Sequence, residues 1–346
     1  MDEERILELV LKRPTEEVVT LDELKSRIES GELSHYIGYE ISGLLHIGSL
    51  STALKVKDLR EAGIKTQVFL ADYHSWINKK LGGDLEKIRY VGLNYFKPFF
   101  EVMGIEAQYI MASDIYDDEY WRLVLQIGNS VTLSRVKRSM TIMGRQESES
   151  NPASFVIYPL MQSADIFHLG VDIAHAGMDQ RKVHMLAIDV APKIERKKPI
   201  ALHTHLLPSL QASSRMDAIE AKMSKSKANS AIFIHDSEEE IRKKIKEAYC
   251  PAKETEGNPV FEILKWVLVR DDNTEFTIHR PAKFGGDVTF TMPEFEKAYK
   301  AGEVHPLDLK AFVAEELIKF LEPARKLSQK PEMQEIIKLV EQSRTR

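Results

Sequence analysis

Cysteine is almost missing from this chain: Cys250 stands alone among 346 residues. One thiol builds neither a disulfide framework nor a zinc site of several cysteines, and the expected compartment is the cytoplasm. No apolar run approaches the roughly 20 residues that span a bilayer, so no membrane partner is expected. The start, MDEERILELVLKR, is acidic and amphipathic, unlike the basic n-region of a secretory signal. Positive charge is not in excess either. The formal net charge of -5 argues against a globally basic nucleic-acid binder and leaves local basic patches open. Internal repeats and low-complexity segments are absent as well. What remains is a globular composition, 43% hydrophobic and 29% charged, with length for two or three domains.

Alternating strand and helix patterns fill the first two thirds. Residues 1–33 read as two short helices, the second with a capping box of Thr20 and Glu23. HYIGYE is β-prone and leads through Gly43 to His46-Ile47-Gly48-Ser49 and a helix ending near Gly63. Strand, glycine loop and helix is the arrangement that offers backbone N–H groups and a positive dipole end to a phosphate. Tyr36 falls on that strand. TQVFLAD is a second buried strand, and Ala71, Asp72 and His74 follow its carboxyl end, where parallel sheets place ligands. A helix over Leu85–Met103 and a strand at AQYIMAS extend the pattern, which predicts a doubly wound parallel α/β sheet. Residues 115–148 read as helical, with Arg135, Arg138 and Arg145 in a basic stripe.

Tyr158 to Lys182, YPLMQSADIFHLGVDIAHAGMDQRK, is the most informative stretch. Tyr158, Gln162 and Asp165 sit at i, i+4 and i+7, one face of a helix. Ile157, Leu160, Met161, Ile166 and Leu169 make that helix apolar nearly all round, so it is buried and its polar residues must be paired or functional. The run then turns through Gly170 and Gly177 to Asp179, Gln180, Arg181 and Lys182. Further on, Lys222-Met223-Ser224-Lys225-Ser226-Lys227 is a cationic loop suited to clamp a polyphosphate. From Asp236 the pattern becomes helical, interrupted by a Gly-Gly turn in TIHRPAKFGGDVTF. Residues 1–239 thus read as a Rossmann-like domain with a helical insertion at about 112–175. Residues 240–346 read as a mostly α-helical C-terminal domain.

Each motif is weak alone; in this order they are specific. The chain resembles the class I aminoacyl-tRNA synthetases, and most closely tyrosyl-tRNA synthetases of the archaeal and eukaryotic type. The resemblance runs from HYIGYEISGLLHIGS through LADYHSWIN, YPLMQSADI, GMDQRKVHML and KMSKSK to AYCPA, RPAKFGGD and HPLDLK. It implies a tyrosine–tRNA ligase that activates L-tyrosine with ATP and passes the tyrosyl group to the terminal adenosine of tRNA(Tyr). It implies tyrosine binding by Tyr36, Ala71, His74, Tyr158, Gln162, Asp165 and Gln180. His46, Gly48, Ser49, Lys222, Ser224, Lys225 and Ser226 would handle ATP, with Mg²⁺ arriving on the nucleotide and no protein metal site. Arg138, Arg181 and Lys182 would approach the acceptor stem, and Phe284, His305 and Asp308 the anticodon. A homodimer through the insertion is implied too. A pocket that hydrogen-bonds a phenol leaves polar groups unpaired when phenylalanine enters. Tyrosyl-tRNA synthetases are themselves the reference case for this discrimination, at roughly 10⁵-fold.

Some residues depart from the family pattern. Ser49 replaces the second histidine of the ATP signature, Ile41 stands where proline is common, and Ala176 replaces a glycine beside His175, which reads as a packed histidine. A bacterial-type C-terminal RNA-binding domain is not seen, so anticodon reading is expected of residues 240–346. Three rivals share part of the pattern. A tryptophanyl-tRNA synthetase has the same fold and signatures, but Asp165 with Tyr36 favours a phenol over an indole. A non-catalytic tRNA-binding paralogue would not keep Lys222, Lys225 and a whole amino-acid pocket. A nucleotidylyltransferase has no use for HPLD.

Overall fold

The computed structural model describes residues 2–144, 151–212, 223 and 230–343; Arg145, Lys222, Ser224, Lys225 and Ser226 lie outside the described residues. The first part runs α1 (Glu3–Leu11), β1 (Thr15–Val19), α2 (Leu21–Ser30), β2 (Ser34–Tyr39), α3 (Ile47–Glu61), β3 (Lys65–Leu70) and α4 (Asp72–Ile77). It continues with α5 (Leu85–Val91), α6 (Lys97–Val102), β4 (Gln108–Met111), α7 (Asp118–Ser130), α8 (Leu133–Ser139), α9 (Ser154–His168), β5 (Ile173–Gly177), α10 (Arg181–Val190) and β6 (Ile200–Thr204). After these come α11 (Glu238–Glu247), α12 (Pro259–Ile263), the hairpin β7 (Phe276–Ile278) and β8 (Val288–Phe290), then α13 (Met292–Ala301), α14 (Pro306–Phe320), α15 (Glu322–Ser328) and α16 (Pro331–Gln342).

Six strands form one sheet in the order β1-β6-β5-β2-β3-β4. All neighbours are parallel except β1, which runs antiparallel to β6 at the edge. The doubly wound expectation holds, and β1 corrects the reading of residues 1–33 as helices alone. Its sequence, TEEVV, hides the strand because Glu16 and Glu17 break the apolar alternation; charged residues are what a sheet edge tolerates. A second correction concerns the run after Gly170. Ile173–Gly177 forms the interior strand β5, fully buried, instead of a turn.

Strand alternation sorts side chains onto two faces. Ile37, Val68 and Leu70 point into the large core that continues through Phe261, Phe295 and Leu317 of the C-terminal helices. Tyr36 and Phe69 point the other way, into a core with Tyr120, Met161, Ile166 and Leu186 from α7, α9 and α10. The chain leaves β2 toward β3 and β4, then returns to β5 and β6. The crevice between the carboxyl ends of β2 and β5 is therefore the topological switch point, where open α/β sheets bind ligands.

Helix α3 carries the glycine loop at its start and is fixed by a buried ion cluster near its end. Lys55, fully buried, lies 3.0 Å from Asp58 and donates to the carbonyls of Leu9 (2.9 Å) and Lys12 (2.6 Å). Arg270 grips both oxygens of Asp58 at 2.7 and 2.9 Å. Burial pushes the Lys55 ammonium down to about 8, against the pull of Asp58. The cluster ties α1, α3 and the loop after α12 together. Asp58→Ala leaves the buried Lys55 and the half-buried Arg270 without their anion, which should cost about 3–5 kcal/mol of stability. Denaturant unfolding of both proteins checks this; a loss below about 1 kcal/mol would show the cluster to be dispensable.

Candidate active site

The glycine loop ends at the N-terminus of α3, where the His46 ring accepts the Gly48 N–H at 3.1 Å and so caps the helix. A β-carbon on Gly48 would stand 2.9 Å from that ring, so the close approach requires glycine. The Gly48 N–H expected to meet a phosphate is thus engaged by His46, and a phosphate would compete for it. Ser49 is half-buried in the first turn. The N–H of Ile47 donates to the Ile232 carbonyl at 3.0 Å, joining this loop to the segment before α11. Met223, the one described residue of the cationic loop, lies 3.7 Å from the same Gly48 position and is buried. Met223 and the glycine loop, far apart in sequence, thus meet here.

Helix α9 places its polar line inward. Asp165 is only 2% exposed. Its Oδ1 accepts from Tyr116 at 2.7 Å and Tyr120 at 3.0 Å, while His74 Nε2 stands 3.5 Å from Oδ2. Burial raises the Asp165 carboxyl to about 8, although the two phenols pull it down. Burial also lowers His74 to about 3, so its ring is neutral. Tyr36, from β2, is buried against Phe69, and burial together with the Asp165 charge holds its phenol well above the usual range. Ala71 is buried at the N-terminus of α4.

About two turns away along α9, the Tyr158 hydroxyl donates to Glu40 at 2.8 Å and its ring packs edge-on to His74 at 4.6 Å. Asn78 donates to the same Glu40 oxygen at 2.7 Å. Gln162 donates to the Gln180 carbonyl oxygen at 3.2 Å, and the Gln180 amide donates to the Ile142 carbonyl at 3.0 Å. Those bonds leave the Gln162 side-chain oxygen, the second lone pair of Gln180 and the Tyr158 oxygen as acceptors. The result is a largely buried polar line with a carboxyl and phenols at one end, and uncharged oxygens backed by a carboxylate at the other.

The basic residues separate. Arg138 and Lys182 line one cavity of about 340 Å³ with Arg135, Lys137 and Thr141. Arg181 is not part of it: it pairs with Glu17 at 2.8 Å, on the far side of β6. Exposed His305 caps α14 by accepting from Leu307, and half-buried Asp308 follows in the first turn. Phe284 ends the short turn Ala282–Phe284 in the β7–β8 hairpin. These three sit in the C-terminal part, away from α9. Asp72 closes on structural partners, the Arg89 guanidinium at 3.0 Å and the Ser113 N–H at 3.0 Å. His175 packs against His35 across β5 and β2, its Nδ1 3.0 Å from His35 Nε2. Ala176 is an ordinary buried strand residue; the tight position is Gly177, where a β-carbon would lie 2.6 Å from the tip of the Leu206 side chain and displace it.

Sequence reasoning passes over Glu40, Asn78, Tyr116 and Tyr120. A strand-end acid beside the glycine loop and two tyrosines at i, i+4 are the signals that point to them. The titration of Asp165 has a stability consequence. Its folded value, about 8, exceeds the unfolded 3.8, so the folded state keeps a proton that the unfolded chain releases. Stability therefore falls as pH rises from about 4 to about 8. Asp165→Asn, which has no such proton to lose, should exceed the parent at pH 8 by on the order of 5 kcal/mol, the gap closing toward pH 4. Chemical unfolding at both pH values measures it; a gap independent of pH would contradict the assignment.

Residues 29–322 match the family model described as tRNA synthetases class I (W and Y). The chain is 50% identical to the tyrosine–tRNA ligase of Pyrococcus horikoshii, over 99% of its own length and 100% of that protein's. The crystal structure of the P. horikoshii tyrosyl-tRNA synthetase complexed with L-tyrosine superposes with a TM-score of 0.92, covering 99% of this chain and 100% of that one at 49% identity. The Aeropyrum pernix tyrosyl-tRNA synthetase gives a TM-score of 0.88 at 42% identity, with coverage of 99% and 100%. A tryptophanyl-tRNA synthetase, also from A. pernix, reaches a TM-score of 0.69 over 93% of this chain and 84% of its own, at 17% identity, a likeness of fold alone. The chain belongs to the class I tRNA synthetases of the tryptophan and tyrosine group, and within it to the tyrosine–tRNA ligases.

Proposed function

We propose that the chain activates L-tyrosine with ATP, giving tyrosyl-adenylate and pyrophosphate, and then transfers the tyrosyl group to the 3′-terminal adenosine of tRNA(Tyr). The observation that carries this reading is the polar line of α9. Tyr158 and Asp165 are seven residues apart, about 10 Å along the axis, which leaves room for a tyrosine with a hydrogen bond at each end. Asp165 accepts the substrate phenol proton and Tyr36 donates to the phenol oxygen. Tyr158, Gln162 and Gln180 take the three protons of the α-ammonium, with Glu40 supplying negative charge behind them. His74 and Ala71 wall the site.

Both chemical steps need positioning and charge stabilisation, with no covalent intermediate on the protein. His46, Gly48 and Ser49 meet the ATP phosphates from the dipole end of α3. Lys222, Ser224, Lys225 and Ser226 follow the departing pyrophosphate, an assignment that rests on the KMSKS pattern and on Met223 reaching Gly48. Mg²⁺ travels with the ATP phosphates and lowers their charge; no protein ligand is assigned to it. Arg138 and Lys182 receive the acceptor stem at their shared cavity, and Arg181 joins them once Glu17 releases it. Phe284, His305 and Asp308 read the anticodon from a C-terminal unit that begins near residue 240. A homodimer is proposed through α7 and α8, where Trp121, Leu125 and Leu133 expose apolar surface at 38%, 68% and 59%. The cytoplasm is the proposed compartment; among the described residues no helix is long and apolar enough to cross a membrane.

ATP–pyrophosphate exchange across the twenty amino acids tests the reading. Tyrosine alone should support exchange, and Asp165→Ala should reduce it by at least about 100-fold, the loss of a charge-assisted bond of roughly 3 kcal/mol. Exchange driven by tryptophan, or full tyrosine activity in the variant, would refute it.

A further inference from the structure

Asp165 meets more phenols than the proposed chemistry uses. Resting on the tyrosine-activating reading, we propose that Tyr116 and Tyr120 are positioning residues for substrate selection: they bind Oδ1 of Asp165 and thereby present Oδ2 to the substrate phenol.

Geometry carries the argument. Both hydroxyls converge on the same oxygen, Tyr116 at 2.7 Å and Tyr120 at 3.0 Å. Among the described residues Oδ2 receives no hydrogen bond. Its nearest recorded neighbour is His74 Nε2 at 3.5 Å, beyond good hydrogen-bonding distance. Neither nitrogen of the buried His74 ring has a partner, so polar groups stand unsatisfied on the Oδ2 side and none on the Oδ1 side. A phenol entering from Tyr36 would meet that side.

The two rings cannot follow a rotating carboxyl. They stack face to face, 3.7 Å apart and 9° from parallel. Tyr73 and Trp121 hold Tyr116 edge-on at 5.6 and 6.1 Å, and His168 holds Tyr120 at 5.3 Å. The Tyr120 hydroxyl also lies 3.2 Å from the Met161 carbonyl, and its single proton serves one acceptor at a time. Tyr116 is therefore the steadier donor. Its backbone is tied to the site through Ser113 and Asp114, which bind Asp72 and Arg89.

Two donors on Oδ1 favour the ionised carboxylate and confine any proton to Oδ2. Ionised, Oδ2 accepts a phenol O–H; protonated, it competes as a donor. The groups facing Asp165 are Tyr36 from β2, Asp72 and His74 from α4, Tyr116 just before α7, Tyr120 in its first turn, and Tyr158 from α9 itself. Of these, only Tyr116 and Tyr120 donate hydrogen bonds to the carboxyl, so they set its orientation.

Tyr116→Phe, Tyr120→Phe and the double variant keep the ring stack and remove the hydroxyls. Tyrosine-dependent exchange is followed between about pH 6 and pH 9, together with the tyrosine-to-phenylalanine ratio of kcat/KM and the KM for ATP. The acid limb of tyrosine kcat/KM, which reports the free enzyme, should move up by about one pH unit, and the ratio should fall about tenfold, with the KM for ATP unchanged. Tyr116→Phe should have the larger effect of the single variants, and the single variants decide the matter if the double variant does not fold. An acid limb or a ratio that stays at the parent value overturns the proposal, including where thermal stability drops, because that outcome is a packing role. If the parent itself fails to activate tyrosine, the underlying reading fails instead.

Discussion

Holding a carboxyl group almost wholly away from water is the constraint on which the rest of this site depends. A buried Asp165 survives only because hydroxyls solvate it in place of water. Those hydroxyls come from α7 and from the turn before it, so the helical segment after β4 must pack closely on α9. Tyr36 faces the same carboxyl from β2, and β2 is held by β3 and β5. The sheet, α7 and the polar helix are thus adjusted to one oxygen pair. A pocket assembled this way is rigid before its ligand arrives, which is what selection by a single hydroxyl demands.

The sheet topology distributes the remaining work. At the β2–β5 switch point, β2 places Tyr36 beside Asp165, and Glu40, just past its end, against Tyr158. The loop after β2 delivers His46 and Gly48, and β3 delivers Ala71 and His74. The chain then crosses back through α9 to β5, whose end delivers Gln180. On the proposed reading, amino-acid recognition and the helix dipole for nucleotide share one crevice, with the basic cavity of Arg138 and Lys182 as the acceptor-stem side. The buried cluster of Lys55, Asp58 and Arg270 links this half to the C-terminal helices, so the two large parts of the chain share one core.

Much of this is legible in the sequence. The parallel alternation, the face shared by Tyr158, Gln162 and Asp165, and the strand, glycine loop and helix order around His46 follow from periodicity and glycine placement. Other features are hidden for physical reasons. β1 is an edge strand whose glutamates obscure its pattern, and β5 is too short and glycine-flanked to stand out from a turn. Tyr116 and Tyr120 look like core aromatics; only the tertiary packing of α7 on α9 brings their hydroxyls to Asp165. Glu40 closes a strand, yet its partners Asn78 and Tyr158 are distant in sequence. That Arg181 pairs with Glu17, while its neighbour Lys182 lines the basic cavity, depends on β1, which the sequence conceals.

The central claim is that α9 measures a tyrosine molecule from end to end. A crystal structure of this chain with L-tyrosine tests it most directly. The account predicts the phenol oxygen within hydrogen-bonding distance of Asp165 Oδ2 and the Tyr36 hydroxyl, the ammonium among Tyr158, Gln162 and Gln180, and Tyr116 still bound to Oδ1. A ligand lying in the reverse direction, or one that displaces Tyr116 to reach Oδ1, would contradict it.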